Sequence, residues 1–138
     1  MLGNQIGEAS GKLTNVRVLE YAGDRSRVEV TFQGQGKVGN VGVTDIGSYW
    51  QEVRPGGVFY GEGGPLWMTD NGEILSWKGF GVGRSTGAGF AASFGCAGSI
   101  QTSSESLAHL NGVVAIGEYE VDAEGNYRWT LWEWTGQG

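Results

Sequence analysis

The sequence has one cysteine, one histidine, two prolines and nine basic residues in 138 positions. Each scarcity excludes something. A single thiol, Cys96, rules out an internal disulfide and agrees with a reducing, cytoplasmic setting. A single imidazole, His109, rules out a metal centre built on several histidines, and no carboxylate cluster offers a substitute. Neither a metal nor a cofactor is expected. Nine Lys and Arg against fifteen Asp and Glu leave a net charge of -6 with no basic run. The electrostatic footprint of a nucleic-acid partner is therefore missing, and so is any attraction to an anionic membrane surface. No apolar run approaches the roughly 18 residues of a spanning helix. Met1 to Gly11 also lacks the charged start, apolar stretch and cleavage site of a signal peptide, so secretion and membrane insertion are not expected.

What the sequence has in excess is glycine, 27 residues where an average chain carries about 7%. The glycines follow no Gly-X-Y period, and an apolar content of 39% with six tryptophans argues against disorder. The length suits one domain, 1–138, with one sizeable core.

The dominant period along the chain is two. Apolar residues alternate with polar residues or glycine over Ile6–Glu20, Arg27–Gly36, Val38–Trp50, Val58–Thr69, Glu73–Arg84, Phe90–Thr102, Val113–Asp122 and Tyr127–Thr135. This pattern predicts about eight strands. Turn chemistry separates them: Gly23-Asp24, Pro55-Gly56-Gly57, Asp70-Asn71-Gly72 and Ala123-Glu124-Gly125. Short loops make neighbouring strands antiparallel. One short helix is predicted over 103–110, because Thr102 and Glu105 have capping-box spacing and Asn111-Gly112 forms a stop.

Register follows from the turns. A three-residue loop with Gly125 left-handed sets Val121 opposite Tyr127 and Glu120 opposite Arg128, which makes a charge pair. The Asp70-Asn71-Gly72 turn sets Tyr60 opposite Val82, Glu62 opposite Phe80, and Gly61 and Gly63 opposite Gly81 and Gly79. One face of this central hairpin carries Val58, Tyr60, Glu62, Leu66 and Met68 beside Ile74, Phe80 and Val82. The other carries Phe59, Pro65, Trp67, Leu75 and Trp77 around a glycine strip. An antiparallel sheet normally wets one side. A sheet apolar on both sides must be filled within and covered without, which predicts a closed all-β antiparallel barrel that self-associates into a homo-oligomer. The glycines then relieve crowding in a tightly coiled barrel or make room for a ligand.

The stretch Val43-Thr44-Asp45-Ile46-Gly47-Ser48-Tyr49-Trp50, the run Arg54 to Gly63, the segments Met68 to Glu73 and Trp77 to Arg84, the run Leu107 to Gly112 and the terminal Leu131-Trp132-Glu133-Trp134 resemble a family of small uncharacterised prokaryotic proteins. The resemblance spans most of the chain. It implies an eight-stranded, commonly oligomeric barrel of the kind seen in allene oxide cyclases and dirigent proteins. It implies no settled activity, and no catalytic position of the cyclases matches a residue of this chain.

The remaining motifs carry little chemistry. Gly34-Gln35-Gly36-Lys37-Val38-Gly39 has G-x-G-x-x-G spacing, but a strand follows where a dinucleotide site needs a helix. His109 reads as a packed or surface residue of the connector, and Cys96 as filler in a small-residue strand. Asp45 reads as a strand-end or turn acid. Glu62 and Glu133 are the carboxylates with apolar neighbours. A carboxylate facing the lumen would be desolvated and suited to proton transfer or to holding a cation, whereas one paired with Arg84, Arg54 or Lys78, or left in water, would be structural. The leading expectation is a binding barrel for a small hydrophobic or aromatic molecule, with Tyr60, Glu62, Phe80, Tyr119, Trp129 and Glu133 as ligand-binding candidates. The alternatives are a cofactor-free isomerase or cyclase using Glu62 or Glu133, and an oligomeric interaction protein with no ligand.

Overall fold

A computed structural model describes residues 2–23 and 26–135. Eight strands run in chain order: β1 (Leu2–Glu20), β2 (Arg27–Val38), β3 (Val41–Arg54), β4 (Val58–Thr69), β5 (Ile74–Ser85), β6 (Ala92–Thr102), β7 (Val114–Val121) and β8 (Asn126–Trp134). Each pairs antiparallel with the next, and β8 returns to β1, so the sheet closes into a barrel without a free edge. The predicted strands agree with these to within a few residues. Of the Gly23-Asp24 turn, Asp24 lies outside the described residues.

The expected registers are present. Glu120 sits opposite Arg128, with their charged groups 3.1 Å apart, and Val121 sits opposite Tyr127. The turn between them depends on two features of its sequence. Gly125 adopts φ 88, which an L side chain resists, and the Asp122 carboxylate accepts the backbone N–H groups of Glu124 and Asn126 at 3.0 and 2.9 Å. In the β4–β5 hairpin Gly61 faces Gly81 and Gly63 faces Gly79.

The helix predicted over 103–110 is replaced by a single 3-10 turn, Ala108–Leu110. Competing hydrogen bonds explain the difference. The Thr102 hydroxyl donates to the Ile74 carbonyl and accepts from the N–H of Ser104, two residues on, so it does not serve the N–H at the capping-box spacing. The Asn111 side chain then takes both backbone groups of Thr102, pinning the two ends of the connector together. Within that loop Leu107 and Leu110 are buried and close one end of the barrel.

Closure decides which hairpin face is inside. Trp67, Leu75 and Trp77 are buried in the lumen, and Gly61 and Gly63 of β4 and Gly79, Gly81 and Gly83 of β5 share their parity. The face carrying Tyr60, Glu62 and Phe80 is therefore the outer one, so the side chains of these three ligand-binding candidates point away from the lumen. Phe80 is 46% exposed and Val82 44%. The glycine strip looks empty in the sequence because its space is filled from other strands. A Cβ at Gly83 would stand 2.7 Å from the Phe94 ring, and Cβ atoms at Gly64 and Gly98 would each stand 2.7 Å from the Trp77 ring.

Two glycine substitutions separate close approach from mere strand composition. Gly79→Ala drives a methyl into the Ala97 carbonyl and is expected to cost about 1–3 kcal/mol. Gly95→Ala, with open space around it and ordinary backbone angles, is expected to stay within about 0.5 kcal/mol of the parent. Urea denaturation of both variants reads the difference, and equal effects would contradict this packing.

Candidate functional site

The most buried polar group in the lumen is Asp45. Alternation along β3 turns Val43, Asp45 and Tyr49 inward, and Asp45 is 0% exposed. Along one row of the barrel wall, from β8 to β4, Tyr127 pairs with Gly11, Gly11 with Gly34, Gly34 with Asp45, and Asp45 with Trp67. The two glycines in this row leave the wall bare between Tyr127 and Asp45. The tyrosine lies across them, and its hydroxyl donates to Asp45 Oδ2 at 2.6 Å. A Cβ at Gly34 would stand 2.5 Å from that hydroxyl. Trp129 Nε1 donates to the same oxygen at 2.9 Å, and Trp67 Nε1 donates to Oδ1 at 3.0 Å. The two indole rings meet at 5.5 Å between centroids.

Burial pushes the Asp45 carboxyl above the ordinary carboxylate range, and the hydrogen bonds from Tyr127, Trp129 and Trp67 pull the other way. Its role is that of an acceptor fixing three aromatic side chains. Burial likewise raises the Tyr127 phenol, and Asp45 adds to the effect.

Next to this cluster lies a cavity of about 80 Å³. Its wall is carbon almost throughout. Phe32, Tyr49, Phe94, Tyr119, Trp129 and Leu131 stand on one side and the glycine strip on the other, with Trp77 and Cys96 between. Tyr49 and Tyr119 meet edge to face at 5.6 Å, and their hydroxyls share a hydrogen bond of 3.0 Å. Burial pushes the Tyr49 phenol and the Cys96 thiol each up to about 12, and raises Tyr119 as well. The two phenols and the thiol beside the cavity are therefore neutral at physiological pH. A second, larger concavity is an open polar groove on the outer wall between Glu8, Lys37, Glu120 and Arg128.

The residues singled out from the sequence divide between the two faces. Tyr119 and Trp129 stand in the lumen beside the cavity. Tyr60, Glu62 and Phe80 are on the outside. There Tyr60 donates to Glu62 Oε2 at 2.7 Å and stacks on Phe80 at 6.2 Å, and the Arg54 guanidinium lies 3.7 Å over the Tyr60 ring. Glu62 and Phe80 contribute to the cavity only as links of the wall between glycines. Glu133 is half-buried opposite Ala115. His109 is exposed on the 3-10 turn. The reading of Asp45 as a strand-end or turn acid is corrected, since it sits within β3 and faces inward. Tyr49, Phe94 and Tyr127 were not singled out. Their signal was parity, because each lies an even number of residues from another inward aromatic or glycine on its strand.

No protein-family model matches the chain, and no curated protein sequence matches it. Solved structures share its fold. One is a conserved protein of unknown function from Rhodopseudomonas palustris, 13% identical, with TM-score 0.78 over 96% of this chain and 97% of that one. Another is a β-barrel-like protein from Acinetobacter baumannii, 17% identical, with TM-score 0.78 over 96% and 94%. An enzyme from Penicillium herquei matches more loosely, at 13% identity and TM-score 0.65 over 94% and 92%. At these identities the likeness is one of fold alone, and fold does not fix function.

The hub of Asp45 has a pH signature. Its carboxyl is raised in the folded state, so its contribution to stability is present below the ordinary carboxylate value of 3.8 and is lost as pH rises through the higher folded value. Asp45→Asn lacks that dependence and leaves one buried indole N–H without an acceptor, a cost of about 1–3 kcal/mol. Urea midpoints of the two proteins between pH 4 and 7.5 should show the variant weaker, with the gap narrowing as pH rises. A gap that widens, or no gap at all, would refute the assignment.

Proposed function

We propose that the protein binds a small, neutral, apolar or aromatic molecule inside the barrel. The observation that carries this reading is the carbon-lined cavity between the aromatic cluster and the glycine strip. Packed interiors leave few voids of this size, because each one forfeits dispersion contacts. Here two opposed features maintain the void. The glycines withhold side chains from one wall, and Asp45 holds Trp129 in place on the other. A cavity of about 150 Å³ accepts benzene. At about 80 Å³ the lumen is about half that size, so a six-carbon guest enters only as Leu131, the aliphatic side chain able to yield, gives way.

For the isomerase or cyclase reading Glu62 is poorly placed, because its side chain is exposed on the outer face with Tyr60 as its partner. That reading then rests on Glu133, half-buried opposite Ala115.

Titration with methylenecyclopentane, followed by NMR of the Trp77, Trp129 and Leu131 signals, tests the proposal. Saturable shifts confined to these residues are expected. Cys96→Leu, which pushes carbon into the cavity, should weaken binding at least tenfold. Shifts that never saturate, or that survive Cys96→Leu unchanged, would exclude the lumen as the site.

A further inference from the structure

Two phenols bonded only to each other leave one proton unspent. Tyr49 and Tyr119 share a single hydrogen bond, 3.0 Å long, in which either oxygen can be the donor. The pair carries two O–H groups and uses one. Among the described residues no other hydrogen bond reaches either hydroxyl. Their neighbours are rings, with Phe32 6.1 Å from Tyr49 and Phe94 5.8 Å from Tyr119, centroid to centroid, together with the Cys96 thiol, at most a weak acceptor. The nearby phenol of Tyr127 is committed to Asp45. An unmade hydrogen bond inside an apolar enclosure is costly, and proteins rarely leave one without a purpose.

Tyr49 and Tyr119 are the only hydroxyl-bearing residues that line the cavity, and no Lys, Arg or His lines it. We infer that the lumen ligand carries one neutral hydrogen-bond acceptor, a ketone, aldehyde, ester or ether oxygen on an otherwise apolar skeleton, and that the unspent proton of the Tyr49–Tyr119 pair binds it. This inference rests on the lumen-binding reading and narrows it to a ligand class. A carboxylate or phosphate would enter the lumen with no cation to meet it. An ammonium could rest against the ring faces but has no lone pair to accept the unspent proton. A pure hydrocarbon fits the shape but leaves the proton unspent.

The test compares cyclopentanone with methylenecyclopentane, which have the same ring and differ in an exocyclic oxygen or CH₂. In the wild-type protein the carbonyl stretch of bound cyclopentanone is expected at lower frequency than in a hydrocarbon solvent. Tyr49→Phe and Tyr119→Phe should each keep that shift, because the surviving phenol retains a proton with no partner. The double variant should lose it and reduce the ketone-to-alkene affinity ratio at least fivefold. A bound ketone with a hydrocarbon-like stretch in the wild-type protein would overturn the inference, whether or not the variants fold. So would an alkene that binds while the ketone does not. If the alkene itself fails to bind, the lumen-binding reading fails instead.

Discussion

A carboxyl group shut inside an aromatic barrel is the constraint on which the rest of this structure turns. Removing a charged carboxylate from water costs several kcal/mol unless its oxygens are met by donors. Asp45 meets the requirement with three donors from strands distant in sequence, Trp67 on β4 and Tyr127 and Trp129 on β8. Two of these are indole N–H groups, which can only donate and would themselves be stranded without an acceptor. The arrangement is thus reciprocal. It ties β3 to β8 across the lumen, and each buried hydrogen bond of this kind can contribute about 0.5–1.5 kcal/mol.

The glycines complement this hub. Gly11 and Gly34 clear the wall over which Tyr127 reaches Asp45, and the glycines of β4 and β5 clear the wall opposite the aromatic cluster. Large rings and absent side chains are two halves of one packing solution. Phe94 and Trp77 occupy part of the cleared space, and the part left over is the cavity. A barrel with ordinary side chains at these positions could not hold rings of this size at this diameter.

The architecture was legible because period-two alternation and short turns are local signals. The register at Gly125 and at Asp70-Asn71-Gly72 followed from turn geometry alone and matches the structure. The inside and outside of the central hairpin were not legible, for a definite reason. Both faces are apolar, and the inner one is marked by glycines whose filling comes from Phe94 on β6 and Trp77 on β5. Pairwise hairpin reasoning sees neighbours on the same sheet face, as Trp67 is to Asp45, whereas Tyr127 and Trp129 come from the distant β8. Tyr127 is 82 residues away and joins Asp45 only once the barrel closes. Tyr119 and Trp129 were found because they share a face with Leu131 on a hairpin whose other face carries charge. The helix expected before β7 failed because Asn111 competes for the backbone of Thr102.

The most direct test of the buried hub is hydrogen exchange at the tryptophan indoles, followed by NMR. If Asp45 anchors the lumen, the Nε1 protons of Trp67 and Trp129 exchange as slowly as the slowest backbone amides of the barrel, while that of exposed Trp134 exchanges rapidly. In Asp45→Asn at least one of the two protected protons loses its protection. Rapid exchange of both Trp67 and Trp129 in the wild-type protein would contradict the account.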